Sequence, residues 1–157
     1  MNKCVFPGSF NPFTMGHYDI LLQGLKRYGF VVIAVADETY KDDMLSLSDR
    51  VSIAEKSVSG IDNVSVVGFS GMLADFLMSN GIYAIIRGIR NDDDLAYEKF
   101  LEKAYKVANE RIEIDYIKSN INHISSSIVR TIAREGGRLD GLVSELAISE
   151  VKRLYKK

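Results

Sequence analysis

Short apolar runs alternate along the chain with longer stretches in which apolar residues recur every three or four positions. Five of these runs have the length of buried strands, and most of them are rich in valine and isoleucine. They occupy residues 4–6, 30–36, 64–69, 83–86 and 112–117. The pattern therefore predicts five strands with helices between them.

The stretches between the runs predict amphipathic helices, because their apolar residues fall on one helical face. These residues are Ile20, Leu21, Gly24, Leu25 and Tyr28 in the first helix, Val51, Ala54 and Val58 in the second, and Met72, Leu73, Phe76 and Leu77 in the third. Ser48 predicts the N-cap of the second helix, and the acidic triplet at residues 92–94 predicts the start of a fourth helix over residues 95–108. The tail, residues 125–157, predicts two further helices separated at Gly136 and Gly137.

This alternation of strands and helices predicts the α/β class. We expect a Rossmann-like, doubly wound domain with a five-stranded parallel sheet and C-terminal helices, and the length of 157 residues fits a single domain over residues 1–157. In such sheets, ligands bind beyond the carboxyl ends of the strands, near the point where the strand order reverses. The loops that follow the strands are therefore the candidate site.

Composition narrows the classes of function. The apolar runs are far shorter than the roughly 20 residues of a membrane-spanning helix, and we expect no signal peptide because the first apolar run is too short. With Cys4 as the single cysteine, no intramolecular disulfide can form and a zinc site would lack ligands, so a reducing cytoplasm is the expected compartment. A net charge of −1, from 20 basic and 21 acidic residues, argues against general binding of nucleic acid. We expect neither a membrane nor a nucleic acid as partner, and any recognition of phosphate has to be local.

The loop after the first strand has the composition of an anion site. The stretch VFPGSFNPFTMGHYDILLQGL contains both prolines of the chain and leads into the first helix at Gly16 and His17. Glycine lets the backbone approach a bulky group, and a helix N-terminus offers free N–H donors. Ser9 could add a hydroxyl and His17 an imidazole donor, although a lone histidine is more often a surface or cap residue.

Three further loops follow strands. Lys41, in the loop DETYKDDMLSLS, is either a solvated charge or part of a mobile phosphate clamp. Arg87 and Arg90 flank Gly88 where the fourth strand ends, and guanidinium groups suit bidentate contacts with phosphate. Three consecutive serines, at residues 125–127, open a helix and exceed what one N-cap requires. The four loops together predict a phosphate-binding site at one edge of the sheet.

Four motifs resemble those of one enzyme family. GSFNPFTMGH resembles the T/H-x-G-H signature of the nucleotidylyltransferase superfamily, and ISSSIVR resembles its ISSSxxR signature. RGIRNDDDLAYE, which includes Tyr97 and Glu98, and VVGFSGML narrow the resemblance to the bacterial phosphopantetheine adenylyltransferases, over nearly the whole chain. The rivals are another nucleotidylyltransferase, such as a nicotinamide mononucleotide adenylyltransferase or a cytidylyltransferase, and a non-catalytic nucleotide-binding sensor.

The resemblance implies an activity, its ligands and an assembly. The family transfers AMP from MgATP to 4′-phosphopantetheine by direct in-line attack, which gives dephospho-coenzyme A and pyrophosphate in coenzyme A biosynthesis. Magnesium would arrive with ATP, and no dedicated set of protein ligands for a metal is expected. The resemblance also implies a homohexamer, with coenzyme A as a candidate feedback inhibitor.

The resemblance further implies roles for individual residues. The catalytic residues would be His17, Lys41 and Arg90, with His17 at the α-phosphate. ATP would bind to Ser9, Phe10, His17, Gly88, Ile89, Arg90, Glu98, Ile121, Asn122, His123, Ile124, Ser125, Ser126 and Ser127, and the acceptor substrate to Ser9, Lys41, Leu73 and Arg87. Two places differ from the usual family pattern. Asn11 replaces an acid, which removes a charge near the expected phosphate site, and residues 121–123 replace an aromatic pair around a serine.

Overall fold

A five-stranded parallel sheet with helices on both faces forms the body of the protein, in a computed structural model that describes residues 2–121 and 123–156. The strands are β1 (Lys3–Gly8), β2 (Phe30–Ala36), β3 (Val64–Phe69), β4 (Ala84–Ile89) and β5 (Glu113–Lys118). The helices are α1 (Met15–Arg27), α2 (Leu47–Ser57), α3 (Leu73–Asn80), α4 (Asp92–Ala108), α5 (Ser126–Arg134) and α6 (Ile148–Tyr155). The predicted doubly wound α/β class is confirmed.

The strands lie in the order β3-β2-β1-β4-β5, and every neighbouring pair is parallel. The chain therefore builds outward from β1 to β3, returns, and continues from β4 on the other side of β1. Because the connections leave β1 and β4 in opposite directions across the sheet, a crevice opens at their carboxyl ends. This is the switch point at which the sequence predicts ligand binding.

Two apolar layers enclose the sheet. The larger layer joins sheet residues such as Phe6 and Ile33 to α1, α2, α5 and α6, and the smaller layer packs α3 and Tyr105 of α4 on the opposite face. Helix α1 lies so close to the sheet that a Cβ atom on Gly24 would be 2.7 Å from Cδ1 of Ile86. Glycine at this position lets α1, which starts at the crevice, pack directly on the strand that ends there.

Two strands run further than the apolar runs predict. β1 continues through Pro7 to Gly8, and β4 begins one residue later than expected but continues to Ile89. Arg87 and Gly88, which the sequence places in a loop, therefore lie in β4 and pair in register with β5. β5 offers these residues a parallel partner, so a polar side chain does not end the strand.

The prediction of Ser48 as the N-cap of the second helix is wrong. Helix α2 begins at Leu47, and the hydroxyl of Ser46 accepts the N–H of Asp49 at 3.1 Å. An N-cap side chain bonds the N–H two or three residues further on, which is the spacing that Ser46 provides. Met72, predicted on the buried face of the third helix, precedes α3 and is 66% exposed.

The C-terminal part confirms the predicted break but shortens the last helix. α5 ends at Arg134, and Gly136 has a left-handed φ of 74°. α6 begins only at Ile148, so residues 135–147 are not helical, and Val151 and Tyr155 of α6 are buried in the larger layer. In the part of the chain that is described, every helix is too short or too polar to cross a membrane.

A buried arginine joins α2 to the crevice. Arg50 is fully buried, and its guanidinium donates to three backbone carbonyls. Nε bonds Leu45 at 2.9 Å, and Nη1 bonds Ser9 at 2.8 Å and Ala36 at 2.7 Å. Nη2 has no hydrogen-bond partner within the described residues, and burial lowers the pKa of this arginine. α2 therefore supports the loop after β1 and the end of β2 at the same time.

Candidate active site

A cavity of about 840 Å³ opens at the carboxyl ends of β1 and β4. Small-molecule sites typically have this size. The predicted site residues that line it are Ser9, Phe10, His17, Leu73, Arg87, Gly88, Ile89, Arg90, Glu98, Ile121, Ile124, Ser125, Ser126 and Ser127. Lys41 and His123 do not line it, and Asn122 lies outside the described residues. Predicted residues from three of the four loops thus face one space.

His17 is held in place by the cap of α1. Thr14 is the N-cap, and its hydroxyl accepts the N–H of His17 at 3.4 Å. In return, Nδ1 of His17 accepts the N–H of Thr14 at 3.0 Å, a bond that glutamate or glutamine makes in most capping boxes. The ring also lines the cavity. The histidine is therefore a cap residue and a cavity residue at once.

The environment of His17 sets its protonation. Burial and the nearby positive charge of Arg90 lower its pKa to about 4. The ring is therefore neutral near pH 7, and because Nδ1 accepts the N–H of Thr14, the proton lies on Nε2. The Nε2–H group is then the donor that remains for a ligand. Such a donor stabilises negative charge without transferring a proton.

Three phenylalanines support the ring of His17. The ring centroids of Phe10 and Phe13 lie 4.9 Å and 5.4 Å from that of His17, and the centroid of Phe6 lies at 6.3 Å. Phe10 is only 2% exposed and has a left-handed φ of 46°, which is uncommon for a residue with a Cβ atom. Because its ring is buried against His17, Phe10 can contact a ligand only through its main chain.

Arg87 and Arg90 differ in their surroundings. Arg87 is partly buried and donates from Nε and Nη2 to Oε1 of Glu98, at 3.1 Å and 2.7 Å. The other carboxylate oxygen of Glu98 is buried and has no hydrogen-bond partner among the described residues. Arg90 is exposed, and its backbone N–H donates to Asp94 at 3.1 Å. A phosphate group could therefore meet a fixed guanidinium at Arg87 and a solvent-facing one at Arg90.

The start of α5 faces the start of α1 across the cavity. Ser125 is the N-cap of α5, and the hydroxyl of Ser126 donates to the carbonyl of Pro12 at 2.9 Å. The segment after β5 is held to α1, because the N–H of Asn120 donates to Asp19 at 2.8 Å. Residues at the N-termini of both helices, where a helix offers N–H donors, therefore line the same cavity.

Lys41 lies at the rim of the cavity. Its Nζ is 3.0 Å from Oε1 of Glu38, and Glu38 lines the cavity although Lys41 does not. The lysine side chain is 50% exposed. Of the three predicted catalytic residues, the structure thus places His17 and Arg90 in the cavity but not Lys41.

Several cavity residues were missed by the sequence analysis. They are Asp37, Glu38, Tyr40, Phe69, Tyr105 and Ser119. Asp37 and Glu38 directly follow β2, so the rule that pointed to Lys41 could have found them first. Tyr105 lies more than three turns into α4, and no local pattern marks it.

Asn11 does not line the cavity, although its neighbours Ser9 and Phe10 do, so its effect near the phosphate site stays a prediction. It is 5% exposed, and its amide makes three hydrogen bonds. Nδ2 donates to the carbonyl of Asp43 at 2.9 Å, and Oδ1 accepts from the N–H of Leu45 at 3.2 Å and from the hydroxyl of Tyr155 at 2.9 Å. A carboxylate cannot donate to the carbonyl of Asp43, so an amide suits this position.

The lowered pKa of His17 predicts a pH-dependent stability. Between pH 6.5 and about 4, the unfolded state binds a proton on this histidine that the folded state does not. The free energy of unfolding should be highest above this window and should decrease as the pH falls through it, by up to about 1.4 kcal/mol per pH unit from this residue. His17→Gln keeps the capping acceptor but does not titrate. Denaturant unfolding across the window should show a shallower slope for the variant, and equal slopes would contradict the lowered pKa.

Comparison with known proteins identifies the family. A family model described as cytidylyltransferase-like matches residues 5–132. The phosphopantetheine adenylyltransferase of Campylobacter curvus is 38% identical over 156 residues, which cover 98% of this chain and 97% of the relative. That of Actinobacillus succinogenes is 37% identical over 158 residues, which cover 99% and 98% of the two chains.

A solved structure is similar in fold. A protein from Vibrio parahaemolyticus, described as a nicotinate-nucleotide adenylyltransferase, matches with a TM-score of 0.72 at 18% sequence identity. The match covers 100% of this chain and 97% of that protein. At this identity the likeness supports the fold, whereas the curated relatives match along nearly their full length. The chain therefore belongs to the phosphopantetheine adenylyltransferase family of cytidylyltransferase-like nucleotidyltransferases.

Proposed function

We propose that the chain transfers the adenylyl group of ATP to the phosphate of 4′-phosphopantetheine, which releases pyrophosphate and forms dephospho-coenzyme A. The observation that carries this proposal is the convergence of a neutral imidazole donor, two arginines and a serine-rich helix start on one cavity. Membership of the family supports the choice of both substrates. The product belongs to the biosynthesis of coenzyme A.

The cavity has two sets of lining residues that suit two substrates. We propose that the end of β4 and the start of α5 bind ATP, through the main chain at Gly88 and Ile89 and the hydroxyls of Ser125 to Ser127. The acceptor would bind on the side of α3, where Leu73 offers an apolar surface and Arg87 a guanidinium. Ser9 lies after β1, between the two sides, and could contact both phosphates.

The reaction requires charge stabilisation rather than a base. An oxygen of the acceptor phosphate, already ionised near neutral pH, attacks the α-phosphorus, and the bond from that phosphorus to the bridging oxygen of pyrophosphate breaks. Negative charge spreads over the five-coordinate centre, where the Nε2–H group of His17 and the guanidinium of Arg90 can stabilise it. Lys41 would join them from the rim once it leaves Glu38.

Magnesium would enter the site bound to ATP. Among residues 2–121 and 123–156, no three histidine, cysteine, aspartate or glutamate side chains are grouped so as to hold a metal. Magnesium keeps several waters and commonly binds through substrate phosphates and one or two carboxylates, which Asp37 or Glu38 could supply. Bound to ATP, magnesium would supply positive charge beside the phosphates of the leaving group.

Coenzyme A is a proposed inhibitor. It contains the pantetheine and adenine parts of the product, so we propose that it inhibits by occupying the same cavity. Inhibition that is competitive with the acceptor would support this.

We also propose that the whole chain is one domain, although the family match ends at residue 132. The reason is that Val151 and Tyr155 are buried in the layer that contains α1 and α2.

Copies of the chain are proposed to associate as a homohexamer, as the resemblance implies. Tyr97, Phe100 and Val107 lie on one side of α4 at helical spacing and are 65%, 73% and 88% exposed. Large exposed apolar stripes usually mark interaction surfaces. This stripe is therefore the proposed contact between copies.

The choice of substrates predicts the outcome of one assay. Pyrophosphate release is measured with MgATP or MgCTP as donor, and with 4′-phosphopantetheine, nicotinamide mononucleotide or glycerol 3-phosphate as acceptor. We expect release with MgATP and 4′-phosphopantetheine. Turnover confined to another pair would identify a different nucleotidylyltransferase, and ATP binding without turnover would identify a sensor.

The role of His17 predicts a loss of turnover. His17→Ala should lower kcat by about 10² or more, because removal of one preorganised donor costs that much. The dissociation constant for ATP should change by less than about threefold, because the bond strengthens mainly in the transition state. His17→Gln keeps the helix cap, and its amide N–H can partly replace the Nε2–H donor, so its kcat should fall less than that of His17→Ala. A kcat of His17→Ala close to that of the wild type would remove His17 from the catalytic residues.

The α4 stripe predicts the state of assembly. Sedimentation of the wild type at micromolar concentration should give a hexamer, and the double variant Phe100→Glu and Val107→Glu should give a smaller species. Leu22→Glu places the same charge on α1, at a residue that is 41% exposed and outside the stripe, and should sediment like the wild type. A monomeric wild type would contradict the assembly, and an unchanged double variant would contradict the contact surface.

A further inference from the structure

A cluster of polar side chains lies behind the cavity, on the segments that surround it. Its members are Asn11, Asp43, Arg130, Arg134 and Tyr155, which we call the Asp43 anchor. They come from the loop after β1, the loop between β2 and α2, α5 and α6. The catalytic assignment uses none of them. The cluster therefore needs an explanation of its own.

The carboxylate of Asp43 forms ion pairs with two arginines. Nη2 of Arg134 contacts Oδ1 of Asp43, and Nε of Arg130 lies 3.5 Å from Oδ2. Arg130 also donates from Nη1 to the carbonyl of Asn11 at 2.8 Å. Both arginines project from α5, whose first residues line the cavity. One carboxylate in the middle of the β2–α2 loop is thus fixed to the helix that forms a wall of the site.

The backbone at Asp43 is fixed as well. Its φ of 69° lies in the left-handed region, which asparagine and aspartate tolerate better than other residues with a Cβ atom. Its carbonyl accepts from Nδ2 of Asn11 at 2.9 Å, and the N–H of Leu45 donates to Oδ1 of the same amide. The loop is therefore held at Asp43 by main chain and side chain together.

Lys41 lies two residues before this fixed point. Its present partner, Glu38, is one of the residues that line the cavity, so the ion pair holds the ammonium group of Lys41 beside the cavity. This single exposed ion pair contributes little free energy, whereas Asp43 is held by two arginines and a hydrogen bond to its carbonyl together. A more highly charged phosphate can therefore replace Glu38 as the partner of Lys41 at small cost.

We propose that Asp43 is a positioning residue for Lys41: its ion pairs with Arg130 and Arg134 hold the loop so that Lys41 can move from Glu38 to the reacting phosphates without ordering the whole segment. The proposal rests on the role of Lys41 in the proposed function. A loop of ten residues, 37–46, that is already fixed near its middle loses less conformational entropy when one side chain docks. Asp43 itself contacts no substrate.

The test is a double-mutant cycle with two readouts. Asp43→Asn keeps the left-handed backbone preference but removes the charge, and it is combined with Lys41→Ala. We expect Asp43→Asn to lower kcat by about fivefold or more in the wild type and by less than about twofold in the Lys41→Ala background. Hydrogen exchange of residues 37–46 should become faster in Asp43→Asn, which reports on the loop without any use of activity.

Two other variants complete the experiment. Arg134→Met breaks the same contact from α5 and should reproduce both effects, which keeps the test open if Asp43→Asn does not fold. Arg138→Met removes an arginine from an exposed pair with Asp140, 3.1 Å apart and outside the Asp43 anchor, and should leave kcat and exchange unchanged.

Each outcome decides the matter. Equal losses of kcat from Asp43→Asn in both backgrounds, or unchanged exchange of residues 37–46, would overturn the positioning role. Full activity of Lys41→Ala would overturn it too, because Lys41 would then have no role to position. Failure of the proposed function is distinct, since the wild type would then release no pyrophosphate with ATP and 4′-phosphopantetheine whatever the exchange data showed.

Discussion

The position of β1 between β2 and β4 is the constraint on which the site depends. A parallel strand order of this kind sends the chain away from β1 on one side and away from β4 on the other, so no connection crosses the gap between their carboxyl ends. The start of α1 and the end of β4 are therefore left facing each other. Ser9, His17 and Arg90, all assigned to ATP, lie on segments that begin or end at this gap.

The cap of α1 places a hydrogen-bond donor at this position. Most capping boxes use a carboxylate or an amide three residues after the N-cap, whereas this chain uses an imidazole. The bond from the N–H of Thr14 decides which nitrogen of His17 carries the proton, and the buried aromatic neighbours and Arg90 keep the ring neutral. One short motif thus sets the place, the tautomer and the charge of the donor.

The sequence predicted the parts of the site that depend on local order along the chain. Apolar runs located the strands, and the segments predicted to follow them contained His17, Arg87 and the three serines. Long-range contacts could not be predicted in the same way. The partner of Asn11 on α6, Tyr155, is 144 residues away, and the position of Lys41 depends on an ion pair that any nearby acid could have formed. The choice of Ser46 over Ser48 as the N-cap rests on a shift of two residues, which two similar serines leave open.

Arg50 has a consequence for the way the site opens. Its guanidinium bonds carbonyls at the loop after β1, at the end of β2 and at the entry to α2, all without contact with water. If α2 detached, these three carbonyls would lose their hydrogen-bond partner, and the surroundings of a buried cation would be exposed to solvent. The loop after β1, the end of β2 and α2 therefore separate together or stay together. Opening of the cavity at these carbonyls is then one cooperative event that includes α2, and its free energy is that of the whole unit rather than of a single loop.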